Sequence, residues 1–308
     1  MSIDANVRGR AAQSLAYIID RCGSLLHIDN AEIALAIERI RDHRQPPGVF
    51  ARYYDLIFAI SRNDFDRASE LIGEISNLSR QSVSFQILPF ERATTGDDFD
   101  RYPHLLFAES PSVGPLAEPT AAEFEQAQAN LRFALNTIRT IDPSIADDID
   151  GLLTTIFVTK DARVDGSASF GGVTSFMIWG ATFINLKAYR TKVGAVQFLV
   201  HEVTHALLFG LSCDAPLVLN PVKENYRSPL RKEPRPMDGI YHATLVCARL
   251  AAFNRHWLES GAENVEQIEE ELNSALLAFQ DGAHTIRSHG NLSETGRELI
   301  DRCSTTLA

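Results

Sequence analysis

His201-Glu202-Val203-Thr204-His205 is the segment of this chain whose residue types and spacing could carry chemistry most directly. Residues four apart on a helix share a face, so both imidazoles can reach one metal ion. Glu202, beside the first of them, can face a metal-bound water or hydrogen-bond a neighbour. The flanks are apolar: Val196, Leu199 and Val200 come before the motif, and Ala206, Leu207, Leu208 and Phe209 after it. A helix that is apolar nearly all round is a buried helix. Two histidines and a glutamate sunk in it lose their hydration and need a compensating partner, which a metal ion provides.

A third ligand must come from downstream, and the sequence offers three. Glu224 and Glu233 would supply the carboxylate of a gluzincin-like zinc peptidase, though neither stands in a clear helical NExxD-type context. His242 lies inside a helix expected over 237–258, on a face that Tyr241, Leu245, Ala248 and Ala252 bury. The remaining histidines (His27, His43, His104, His256, His284 and His289) occupy ordinary surface positions. Between the two histidine helices, residues 223–238 hold five basic and three acidic side chains. Several of these offer guanidinium or hydroxyl groups suited to a carboxylate. Arg235 is held between Pro234 and Pro236, which restricts its backbone and makes it the best carboxylate clamp of the group.

HEVTHALL, then YRSPLRKEPRP, then DGIYHATLVCARL, resembles the HExxH-motif peptide-modification proteins, the 2-oxoglutarate-dependent HExxH-type peptide β-hydroxylases that act on ribosomally made peptides. The resemblance covers roughly residues 120–260. It implies an Fe(II) site held by His201, His205 and His242, with Glu202 orienting a ligand or a bound water. Three facial protein ligands leave positions for a bidentate keto-acid and for O₂. The usual non-haem set is two histidines and a carboxylate, so a three-histidine set departs from that pattern and keeps Glu202 and Glu224 in contention. Arg235 is expected to pair with the distal carboxylate of 2-oxoglutarate, with Arg231, Arg227, Ser228 and Tyr226 as alternates. Asn185 is expected to hydrogen-bond substrate or cosubstrate. The implied partners are a precursor peptide and O₂.

A different chemistry uses the same motif. In a zinc peptidase, His201, His205 and one carboxylate bind Zn²⁺, one position holds water, and Glu202 is the general base. An arginine cluster and a third histidine are surplus to that reaction. A degenerate scaffold that only binds peptide is the third reading, with the helical first hundred residues as its recognition module.

These residues need elements to position them. Helical spacing runs from Val7 to Leu26, from Asn30 (a good cap) to the prolines at 46 and 47, from Phe50 to Ser61, and from Asp64 to Ile75. Ser82–Phe90 alternates like a half-buried strand. The proline- and glycine-bearing stretch 91–120 reads as a linker or long surface connection. A helix over 121–141 ends at Asp142-Pro143. Thr154–Thr159 and Ser175–Leu186 read as strands, the second bulged at Gly180, with a turn over 166–172 between them. Helices follow over 192–210, 237–258, 265–281 and 293–305, with a proline-rich loop over 211–236. The expected architecture is α+β, mainly α: a zincin-like active-site helix against a small mixed sheet in a catalytic domain over 116–308, after a helical N-terminal region over 1–115.

The 308 residues suffice for one large domain or two modest ones, and 45% hydrophobic against 22% charged residues describes an ordinary globular chain. A net charge of −11 argues against a surface built for nucleic acid or an anionic membrane. Cys22, Cys213, Cys247 and Cys303 are scattered without a CxxC pair, as for reduced thiols. The first residues lack an apolar core followed by a cleavage site, and no stretch approaches about 18 uninterrupted apolar residues. The expectation is a cytoplasmic protein.

Overall fold

The computed structural model of the chain describes residues 2–110, 113–163, 170–228 and 233–307. It is mainly helical with a small mixed sheet, in the α+β class that the sequence predicts. Two compact units divide it: Met1–Gln128 with Asp150–Tyr189, and Ala129–Ile149 with Arg190–Ala308. The division does not follow a single cut near residue 115. The strands expected beside the histidine helix fold in the unit of the N-terminal helices, and α-helical residues 129–149 join the second unit.

The first unit opens with α1 (Ile3–Cys22), α2 (Asn30–Asp42), α3 (Pro47–Ser61) and α4 (Phe65–Leu78). Their apolar stripes, with Leu15, Ile33, Ile40, Leu56, Leu71 and Ile75, bury one another. The cap of α2 is Asp29 rather than Asn30: its carboxylate accepts from the amides of Ala31 and Glu32. Asp64 caps α4 by accepting from Arg67 N–H.

The stretch expected as a linker is ordered. It carries β1 (Gln86–Pro89), α5 (Arg92–Thr95), α6 (Asp98–Glu109) and β2 (Leu116–Ala117), with 111–112 outside the described residues. α6 runs through Pro103, which has no N–H to return to the preceding turn. Burial of Tyr102, Leu105 and Leu106 against the sheet residues Phe157 and Phe183 outweighs that loss. Ion pairs add to it: Arg52 reaches Glu74 and Asp98, each at 2.6 Å, and Arg101 reaches Asp55 at 2.7 Å and Asp98 at 2.8 Å.

Next come α7 (Ala121–Ile141) and α8 (Pro143–Leu152), both divided between the units. Asp142 ends α7 and immediately caps α8 by accepting from Ser144 N–H. The sheet is completed by β3 (Thr155–Asp161), β4 (Gly172–Thr174) and β5 (Ala181–Asn185). β1 and β5 flank β3 in parallel, β4 lies antiparallel on β5, and β2 pairs antiparallel with the end of β3. The single strand expected over 175–186 is instead a 3-10 turn at Phe176–Ile178 followed by β5. Gly180 makes the break with φ of +90°, and its carbonyl accepts from Thr154 N–H, Thr155 N–H and the Thr154 hydroxyl. Residues 164–169 of the expected turn lie outside the described residues.

The second unit contains α9 (Lys192–Leu211), the short antiparallel pair β6 (Asn225–Tyr226) and β7 (Arg235–Pro236), then α10 (Met237–Glu259), α11 (Val265–His289) and α12 (Glu294–Leu307). α10 is its central element and packs against α9, α11 and α12. Leu208, Ile240, Tyr241, Leu245, Phe279, Ile286 and Ile300 form the core around it. Among the described residues α9 is the one helix long and apolar enough to cross a membrane, and most of it is buried inside the protein. None of the four cysteines forms a disulfide.

Candidate metal centre

α9 starts where Thr191 caps it, its hydroxyl accepting from Gly194 N–H at 3.0 Å. From there the helix carries His201 and His205 one turn apart on one face. Their Nε2 atoms lie 3.2 Å apart. Two nitrogens each about 2.1 Å from one metal ion and separated by that distance subtend about 100° at the ion, between the octahedral and tetrahedral angles. In the metal-free chain the same spacing suits one imidazole donating to the other. The pair therefore fits a metal without further movement of the backbone.

Glu202 is 1% exposed, with a carboxylate oxygen 4.0 Å from His201 Nε2. His242, on α10, is buried, and its ring lies parallel to that of His205 with centroids 5.7 Å apart. Phe209, one turn beyond His205, sits 5.2 Å from the His242 ring and 6.3 Å from that of His205. So the three imidazoles of the sequence reading occupy one neighbourhood. They are not equivalent: two nitrogens of the α9 pair converge, while the third ring stands nearly parallel to that of His205 alone. Among the described residues no three His, Cys, Asp or Glu side chains are already gathered as a complete metal-ligand group.

Electrostatics favour the ligand form of all three rings. Burial brings His201 down to about 4. It pushes His205 well below the usual imidazole value, helped by His201, His242 and Arg235 nearby. Burial also lowers His242; Asp238, whose carboxylate is 3.9 Å from its Nε2, opposes that, and Arg235 adds to it. Neutral imidazoles bind metals without first losing a proton.

Arg235 reaches this neighbourhood from β7. Its guanidinium lies over the first turn of α10, 3.2–3.4 Å from the position a Cβ would take at Gly239. A glycine here lets the plane of the guanidinium settle against the helix. Tyr226 pairs with Arg235 in the β6–β7 register, but it and Arg227 line a separate cavity of about 250 Å³ with Asp281, His284, Thr285, Ser288 and His289. The Tyr226 hydroxyl donates to Glu224 at 2.5 Å and accepts from Asn220, and its ring stacks on His289. That engages the Glu224 carboxylate, and both Glu224 and Glu233 are exposed. Ser228 is buried; Arg231 lies outside the described residues.

Asn185 belongs to the other unit, at the end of β5. Its amide oxygen accepts from the N–H groups of Asp161 and Lys187, and its nitrogen donates to the Phe170 carbonyl at 2.7 Å. Three backbone partners give this side chain a structural task, the closing of a loop onto the sheet, in place of the expected contact with substrate or cosubstrate.

Two polar residues of the helices that carry the histidines are not marked by the sequence reading: Gln197 on α9 and Asn254 on α10. Gln197 and Asn254 each interrupt an otherwise apolar helical run, which is the signal that would have marked them. No protein-family model matches the chain, and no curated protein matches it.

Proposed function

We propose that this chain is a non-haem Fe(II), 2-oxoglutarate-dependent hydroxylase that oxidises a side-chain β-carbon of a ribosomally made peptide, working in the reducing cytoplasm. The observation that supports it best is the third imidazole beside the HExxH pair, the His242 ring 5.7 Å from that of His205. In this reading His201, His205 and His242 hold the iron, which supplies the oxidising chemistry when bound. His242 completes the set by turning its ring from the parallel plane toward the pair. Glu202, buried next to His201, orients a ligand or a bound water. Arg235, whose charge is felt at both His205 and His242, pairs with the distal carboxylate of the keto-acid. The apolar wall of Phe209 helps exclude water. A gluzincin-like zinc peptidase would take a carboxylate in the third place, and Glu224 is engaged by Tyr226 while Glu233 is exposed.

The test begins with protein purified without oxygen. Addition of Fe(II) and then 2-oxoglutarate should give the charge-transfer absorption of a chelated keto-acid, lost in His242→Ala and weakened in Arg235→Ala. Co-expression with the precursor peptide should add one oxygen atom to it by mass spectrometry. Zinc-dependent cleavage of the peptide, indifferent to the keto-acid, would replace the proposal with a peptidase. Silence in both assays would leave a peptide-binding scaffold.

A further inference from the structure

Gln197 and Asn254 form a closed amide pair between α9 and α10. Gln197 Nε2 donates to Asn254 Oδ1 at 2.6 Å, and Asn254 Nδ2 donates back to Gln197 Oε1 at 3.2 Å. The two residues are 6% and 0% exposed. Around them the buried surface of α9 is aliphatic (Val193, Val196, Leu199, Val200 and Val203), and so is much of α10. Aliphatic contacts are non-directional, so they attract α10 without fixing where along α9 it stops. The amide pair is directional. A slide of α10 by one residue moves Asn254 about 1.5 Å along the axis and about 100° around it, and strands both buried amides without partners. Buried polar pairs are known to fix register in packed helices.

Gln197 stands one turn ahead of His201 on α9, and Asn254 about three turns beyond His242 on α10. We infer that this pair sets the register of α10 on α9 and thereby places the His242 ring beside His205, so that Gln197 and Asn254 are positioning residues for the ligand set. The inference rests on the metal-site reading above. It adds a device that lies outside the ligands and outside the substrate, in the seam that joins the two helices that carry them.

A stability measurement alone would not distinguish this from ordinary packing, so the test has two other readouts. The full-length chain is compared with Gln197→Met/Asn254→Leu, with the exchanged pair Gln197→Asn/Asn254→Gln, and with Asn254→Ser, a single-site change that breaks the closed pair and keeps a polar group beside Gln197 should the first fail to fold. Affinity for Co(II) is read from its visible absorption, and the position of the His242 ring from its NMR shifts in the metal-free protein, where His205 and Phe209 lie against it. The apolar pair should fold as stably as the natural chain, since a buried polar pair replaced by apolar side chains of similar size is often neutral or stabilising. It should nonetheless bind Co(II) roughly 10–100-fold more weakly, the loss typical when a ligand's supporting contacts are removed. Its His242 shifts should move, those of Asn254→Ser should move likewise, and the exchanged pair should recover most of both properties. Natural affinity and unchanged His242 shifts in the apolar pair or in Asn254→Ser would overturn the inference. Should the natural chain itself fail to bind Co(II), the metal-site reading fails, and the His242 shifts still decide whether the pair sets the register.

Discussion

Gly282 of α11 offers the sharpest quantitative test of how α10 is held. A Cβ added there would lie 2.1 Å from Thr244 Oγ1, 3.0 Å from Thr244 Cβ and 3.1 Å from its Cγ2. Thr244 is fully buried, and its hydroxyl donates to the Ile240 carbonyl at 2.7 Å, so it has no free direction in which to retreat. Gly282→Ala therefore forces α10 and α11 apart by several tenths of an ångström or breaks that hydrogen bond. Overpacking of a core costs about 1–3 kcal/mol and the bond about 1 kcal/mol. Against this, alanine in a helix interior gains about 1 kcal/mol over glycine. The net expectation is a loss of about 1–3 kcal/mol, read as a lower urea midpoint at unchanged slope. Thr244→Ala in the same chain removes Oγ1, the nearest atom, and Cγ2, and leaves only the Cβ contact at 3.0 Å. The double variant should then be more stable than the sum of the single changes predicts, by about 1 kcal/mol or more. A Gly282→Ala chain as stable as the natural one, or a strictly additive double variant, would refute this account of the helix seam.

Three further outcomes follow from the same structure. Because His201, His205 and His242 are held neutral, between pH 6.5 and about 4 the unfolded chain binds protons that the folded metal-free chain does not; stability should fall as pH falls through that window, by at most about 1.4 kcal/mol per pH unit for each proton. The His201 side chain is about a third exposed, so water softens its share, and urea midpoints that stay flat from pH 7 to pH 5 would count against the neutral imidazoles. In the first unit, Arg52→Leu leaves Asp98 with Arg101 and Glu74 with Arg101 and Arg67, and should cost about 2 kcal/mol by denaturant unfolding, the scale of a hydrogen bond to a charged group, whereas Arg52→Lys should cost less. In the second, Gly239→Ala lifts the Arg235 guanidinium from its helix: thermal stability should barely change while affinity for 2-oxoglutarate drops about tenfold, the scale of one charge-assisted hydrogen bond, and an unchanged affinity in isothermal titration would separate Arg235 from the carboxylate.

What could be read without coordinates was local. The spacing of His201 and His205 fixes a shared helical face whatever the helix packs on, and the apolar flanks already place that helix in the interior. The β-branched run at 154–159, the stop at Asp142-Pro143 and a cap at Asn63 or Asp64 are likewise written in a few neighbouring residues, and the structure settles the cap on Asp64. Elements whose formation depends on distant partners were read less well. The stretch 91–120 reads as a linker or long surface connection because Pro103 and its companions argue against a helix, yet α6 forms there since Tyr102, Leu105 and Leu106 find a sheet to bury against. Gly180 divides what the apolar run 175–186 presents as one strand with a bulge, because its carbonyl is needed by Thr154 and Thr155 far upstream.

The neighbourhood of the motif divides along the same line. Sequence alone determined a buried HExxH helix and a basic crossover after it. Only the tertiary structure decided that His242 stands beside His205 while Tyr226 and Arg227 line a different cavity, and that Asn185 spends its amide on the backbone of another unit. The reason is range: an i to i+4 relation is set by the helical repeat of one segment, whereas the meeting of residues on two helices depends on how those helices settle. Here that settling rests on partners such as Gln197 with Asn254 and Gly282 with Thr244, each separated by a stretch of chain that no local pattern can bridge.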